Sequence, residues 1–306
     1  MSAQTVSADA GAPLTAQFDT RQFDTGQPGA GLSDSGQLNT GQFDTGPLVP
    51  GTRPAGPFGP AAVFGQGGRE PYAGTLVRGM GRLTLRPVLP LAPPAAHEAA
   101  AHEAAAHEAA AHEAGVQQAI GPVHFSVGGF SAPATAGERG LLRTLRGPLL
   151  DVGCGPGRML AAAQELGLAA MGVDTSAPAV RLARNRGAAA IHGSVFDPLP
   201  HEGGWGSALL LDGNIGIGGN VRALLERVGS LLAPGGQLLV EAESPDSLDL
   251  AYLAVLEDAA GRRSDSFPWA RVGAAALAGH AARAGLAVGT TRRVQGRVFL
   301  ALERRA

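Results

Sequence analysis

The chain has 306 residues, 44% hydrophobic and 16% charged, with a formal net charge of -2. This supplies enough apolar residues for a sizeable core in one or two domains, and no basic stripe marks it as a nucleic-acid binder. Its single cysteine, Cys154, excludes an internal disulfide and any multi-cysteine zinc site.

The N-terminus has neither a basic leader nor an apolar h-region, and no run of about 18 apolar residues follows. The expectation is a cytoplasmic protein without a membrane partner. Residues 1–69 are rich in Gly, Pro, Gln, Thr and Asp, and Gln-Phe-Asp-Thr starts at Gln17, Gln22 and Gln42. Units with one apolar residue each bury too little surface to offset chain entropy, so a disordered tail is expected. A multivalent docking tail anchored by Phe18, Phe23 and Phe43 is the alternative. Within residues 70–94, Arg82-Leu83-Thr84-Leu85-Arg86 alternates like a strand or hairpin arm, an accessory piece beside the later domain. Residues 95–115 repeat His-Glu-Ala-Ala-Ala, a composition that favours a semi-rigid helical spacer. A five-residue step turns about 140° around a helix, so the histidines diverge and no metal site is expected.

From about residue 116 to 306, short apolar strands alternate with helical stretches, the pattern of an α/β parallel sheet. Leu149 to Val152 reads as a buried strand that runs into Gly153-Cys154-Gly155-Pro156-Gly157-Arg158 and then a helix, Met159 to Leu166. Such a glycine turn lets backbone approach a nucleotide-like ligand. A dinucleotide G-x-G-x-x-G fingerprint starting at Gly153 requires glycine at 158, where Arg158 stands. Further strands are expected at Ala170 to Asp174, Ala188 to His192, Ala208 to Asp212 and Gln237 to Glu241. Helices follow at 221–232 and around 270–284, and segments 286–293 and 295–302 close the sheet.

Asp151-x-Gly153-x-Gly155-x-Gly157 resembles the acidic glycine motif of class I S-adenosylmethionine (SAM)-dependent methyltransferases. Asp174, the segment Gly193-Ser194-Val195-Phe196-Asp197-Pro198-Leu199-Pro200 and the turn Ala233-Pro234-Gly235-Gly236 fall in that family's order. The run from Ser194 to Gly219 and the segment Phe267 to Gly273 are similar to an uncharacterised bacterial group within it. The resemblance covers about residues 136 to 306. It implies a Rossmann-like, doubly wound, seven-stranded, mostly parallel sheet with a terminal antiparallel hairpin. It implies SAM as methyl donor, held by Asp151, Gly153, Cys154, Gly155, Gly157, Asp174, Thr175, Ser194, Val195, Phe196 and Asp212. Asp174 would accept from the ribose hydroxyls. Ser194 stands where the family commonly has Asp against the adenine amino group, so either its hydroxyl or Asp197 fills that part.

The implied reaction is methyl transfer to an O, N or C nucleophile. Few insertions are expected between the strands, which favours a small-molecule acceptor; no oligomeric state is legible. Ligands bind beyond the carboxyl ends of parallel strands, which makes Asp212 and Asn214 the catalytic candidates. The other reading of these two is local loop support. Cys154 reads as a packing residue, and no acid partner is visible for His192 or His201. His124 is placed near the donor site as a cap, while Phe267 and Trp269 read either as core or as acceptor-pocket wall. Two other functional classes stay open: a donor-binding, non-catalytic module recruited through its tail, and an NAD(P)-dependent oxidoreductase.

Overall fold

The computed structural model describes residues 63–64, 70–90 and 121–305. The Gln-Phe-Asp-Thr repeats and the His-Glu-Ala-Ala-Ala repeat lie outside the described residues.

Two sheets make up the fold. The larger contains β3 (Leu149–Val152), β4 (Ala170–Asp174), β5 (Ala189–His192), β6 (Trp205–Leu210), β7 (Leu232–Ala242), β10 (Leu286–Val294) and β11 (Arg297–Arg304). Their order is β10-β11-β7-β6-β3-β4-β5, with β3 through β7 parallel and β11 antiparallel to both β7 and β10. This is the seven-stranded, mostly parallel sheet expected from the sequence. Its central strands are buried on both faces, as β3 and β4 are along their whole length, because helices cover each side. One face packs under α6 (Val221–Leu231) and α7 (Ala274–Arg283). The other packs under α3 (Ala136–Leu142), α4 (Arg158–Glu165) and α5 (Ala177–Asn185). Leu142, Leu149, Leu160 and Leu209 are fully buried there, each contributing roughly 1.5–3 kcal/mol by removal from water.

Helix starts follow local chemistry. Thr135 and Glu138 form a reciprocal capping box at α3. Ser176 and Asn220 accept from backbone N–H groups at the starts of α5 and α6.

The smaller sheet was only partly foreseen. Its strands are β1 (Arg82–Pro90), β2 (Val123–Ser126), β8 (Asp249–Asp258) and β9 (Phe267–Val272), antiparallel in the order β2-β1-β8-β9. Helices α1 (Pro71–Arg78) and α2 (Val127–Ser131) pack on it, with Tyr72, Leu76 and Val127 buried beside Leu83, Leu85 and Trp269. The expectation of few insertions is corrected here: Asp249–Val272 is a hairpin inserted after β7. The helix expected around 270–284 begins only at Ala274, because the preceding residues alternate and pair with β8. The strand expected at Ala208 to Asp212 spans Trp205–Leu210 instead. Asp212 turns to φ +54 and Gly213 to φ +85, which ends the extended run.

Candidate functional site

The carboxyl ends of the parallel strands open into a cavity of ≈ 700 Å³, roofed by the smaller sheet. A cavity of that size holds a drug-sized ligand with room beside it. Its floor is the turn after β3. Gly153 (φ +72) and Gly155 (φ +54) occupy backbone conformations that a Cβ disfavours. A Cβ on Gly153 would also meet Asn214 Nδ2 at 2.5 Å. Gly157 differs from the site expectation: it does not line the cavity, and its missing Cβ lets α4 approach Ala183 of α5. Cys154 borders the cavity, but burial pushes its thiol well up, reinforced by Asp174 and Asp151. That disfavours a thiolate nucleophile.

Asp151 ends β3 buried, bordering the cavity, with no hydrogen-bond partner for its carboxylate among the described residues. Burial pushes it up to about 7; the nearby charges of Asp212 and Asp174 add to the rise, and Arg158 opposes it. Asp174, at the end of β4, accepts from Gly155 N–H and Ser176 N–H at 2.8 Å each. It thus braces the turn, and Thr175, Ser194, Val195 and Phe196 continue the same wall. The Ser194 hydroxyl accepts from Phe196 N–H at 3.2 Å, which leaves its own proton to donate. Asp197 accepts from Ser194 N–H at 3.0 Å and does not border the cavity, so it caps that turn and does not replace Ser194.

Both residues expected as catalytic border the cavity, and each is engaged in loop contacts. Asn214 donates from Nδ2 to the carbonyls of Val152 and Gly153 at 2.8 and 3.0 Å. Asp212 pairs through Oδ2 with Arg158 at 2.7 Å and through Oδ1 with Arg297 at 2.9 Å. Both arginines also pair with Glu138, at 2.7 and 2.6 Å. Burial opposes the charge on Glu138, yet hydrogen bonds from Arg158, Thr135 N–H and Arg297 hold it down to about 2. Arg297 also pairs with Glu241. The network ties the start of α4 and the end of β7 to the loop after β6.

His192 and His201 do not border the cavity. His124 does, but its Nδ1 lies 3.0 Å from Thr84 Oγ1, its cross-strand neighbour. Val123 and Phe125 take the cavity side of that strand. Phe267 and Trp269 line the cavity as well as packing in the core.

Several wall residues lay beyond the sequence reading. Tyr72 places its hydroxyl near Gly155, and burial pushes its phenol well up. Phe64 stacks among Tyr72, Phe267 and Trp269 at centroid distances of 5.2–5.4 Å. Glu243 follows β7 directly and is hydrogen-bonded by Arg271 of β9 at 2.7 Å. Only Glu243 carried a legible signal, an acid just past the carboxyl end of a parallel strand. Tyr72 and Phe64 carried none, because their segments are short and distant in sequence.

Among the described residues no helix is long and apolar enough to cross a membrane, and no cluster of ligating side chains is suited to a metal ion. Residues 133–288 match the family model described as "Methyltransferase domain". A SAM-dependent methyltransferase from Bacteroides fragilis, solved with S-adenosyl-L-homocysteine, shares the fold. Its TM-score is 0.57 at 18% identity, covering 77% of this chain and 93% of that one. The 1,6-didemethyltoxoflavin-N1-methyltransferase of Burkholderia thailandensis aligns with TM-score 0.44 at 20% identity, covering 71% and 94%. The CcbJ methyltransferase of Streptomyces caelestis gives 0.45 at 16% identity, covering 58% and 92%. No curated protein sequence matches the chain.

Proposed function

The chain belongs to the methyltransferase domain family, and from that premise we propose that its cavity binds S-adenosylmethionine beside a small-molecule acceptor and transfers the methyl group to it. One observation supports the placement of the donor: Asp151, a buried acid whose carboxylate has no hydrogen-bond partner among the described residues, borders the cavity beside the glycine turn. The donor's α-ammonium supplies that partner. Asp174, at the adjoining strand end, has lone pairs left for the ribose hydroxyls, and Phe196, still 39% exposed, offers a ring face to the adenine.

The donor is already activated at its sulfonium, so the protein's contribution is to bring acceptor and donor into line, exclude water and take up a proton. The roof of aromatic residues from the smaller sheet serves the first two needs. A cavity enclosed by an inserted hairpin and an N-terminal helix suits a small molecule better than a polymer. The oxidoreductase alternative loses its support with the family assignment, since Arg158 stands where the dinucleotide turn requires glycine.

Isothermal titration of SAM, S-adenosylhomocysteine (SAH) and NAD into the full chain tests the reading, with Asp174→Ala as control. Both sulfur ligands should bind, NAD should not, and the substitution should abolish binding. A folded wild-type chain that ignores SAM and SAH would overturn the proposal.

A further inference from the structure

The acids that border the cavity differ in what their oxygens already hold. Asp174 accepts two backbone N–H groups, Asp212 has an arginine on each oxygen, and Glu241 has Arg297 on both. Asp151 stands open beneath the glycine turn. Glu243 is the remaining one: Arg271 Nε and Nη2 both approach its Oε2, at 2.7 and 2.6 Å. Its Oε1 has no hydrogen-bond partner among the described residues, and the side chain is 27% exposed where it borders the cavity.

Position separates Glu243 from the donor wall. It sits at the end of β7, and β6 lies between that strand and β3, an offset of about 10 Å at ordinary strand spacing. Apolar, flat-sided residues share its cavity: Phe64, Phe125, Phe130, Phe267 and Trp269 line it too. The residue's backbone is anchored as well, since Glu243 N–H donates to Val272 O at 2.8 Å. A charged oxygen presented to an aromatic-walled space recognises a planar ligand with one strong donor.

We infer that Glu243 is the acceptor-side catalytic residue and that the acceptor is a planar aromatic compound carrying an O–H or N–H group. The inference rests on the donor reading above. The acceptor's O–H or N–H donates to Oε1 while its lone pair forms the new bond to the methyl carbon. The carbon–sulfur bond breaks with its electron pair passing to sulfur, and the released proton goes to Oε1 and then to water. Arg271 keeps Oε2 oriented, which leaves Oε1 to receive the proton.

The full chain saturated with SAH is titrated with 2-naphthol, 2-naphthylamine, 2-methoxynaphthalene and cyclohexanol. The first two should bind, and the ether, which lacks the donor, should bind about tenfold more weakly, the loss of one hydrogen bond to a charged group. Cyclohexanol should not bind. Glu243→Gln, which keeps an oxygen for Arg271, should erase the difference between naphthol and ether without changing SAH affinity. With SAM, the same variant should lower kcat for the bound arene roughly 10²-fold, with partial recovery in Glu243→Asp and at high pH, where the acceptor ionises unaided. Equal affinity for naphthol and ether, no arene binding to the SAH-loaded chain, or a Glu243→Gln variant that behaves as wild type would each overturn the inference. A chain that fails to bind SAH at all fails at the donor step, a separable result.

Discussion

Asn214 Nδ2 donates to Gly153 O at 3.0 Å and to Val152 O at 2.8 Å, so a side chain from the loop after β6 holds the glycine turn that follows β3. The two residues are 61 positions apart in sequence, and the side chain ties the two loops together.

Asn214→Ala should therefore destabilise the chain by about 1–3 kcal/mol, the cost of leaving buried carbonyls without donors, and should weaken SAH binding more than it lowers kcat. Asn214→Asp should behave no better, because a carboxylate has no N–H to give. Urea denaturation and SAH titration of both variants check this. A functional Asp variant would instead point to Oδ1 as the working atom.

Asp151 should give the ligand-free protein an unusual pH dependence. Its carboxyl sits at about 7 when folded, against 3.8 as the ordinary value. Between these values the folded chain holds a proton that the unfolded chain has released. Stability contributed by this group is thus present below about pH 4 and is lost as pH rises through about 7. SAM affinity should rise over the same interval, since only the ionised acid attracts an ammonium. Thermal melts of wild type and Asp151→Asn from pH 5 to 8.5 test the first point, and the variant's curve should be flatter. Titrations in buffers of different ionisation enthalpy should show proton release on binding near pH 6.

Glu138 runs the other way. It is held at about 2, below its ordinary 4.5, through hydrogen bonds from Arg158, Thr135 N–H and Arg297 that outweigh its burial. Its contribution is complete above about pH 4.5 and is lost as pH falls toward 2. Glu138→Gln removes the charge that faces two arginines and should cost about 3 kcal/mol at pH 7. Denaturation at pH 7 and pH 3 should show the gap between variant and wild type closing in acid.

Gly216 allows the loop after β6 to lie against β9. A Cβ there would collide with Ala270 O and approach Trp269 Nε1 to 2.6 Å. Gly216→Ala should cost about 1–3 kcal/mol through overpacking and shift Trp269 fluorescence, with acceptor binding affected more than SAH binding. An unchanged emission spectrum would mean that the loop absorbs the methyl group without moving the roof.

Much of the cavity floor was legible along the chain. Asp151, Gly153, Gly155 and Asp174 occupy strand ends and a turn that sit together because consecutive parallel strands place their carboxyl ends side by side. The apolar runs of β3 and β4 identify them as buried strands. All of these signals are short-range, carried by residue type within a few positions.

Tertiary structure alone decided what each polar group is paired with. Asp212 and Asn214 stood at the right strand end for chemistry, yet arginines from α4 and β11 and two distant carbonyls engage them. Gly157, part of the same motif, faces Ala183 and not the cavity. Tyr72, Phe64 and Trp269 form one roof although about 200 residues separate the first two from the last. Pairing and enclosure depend on groups that meet only when the chain closes on itself, and a linear sequence does not encode which of several acids will find an arginine.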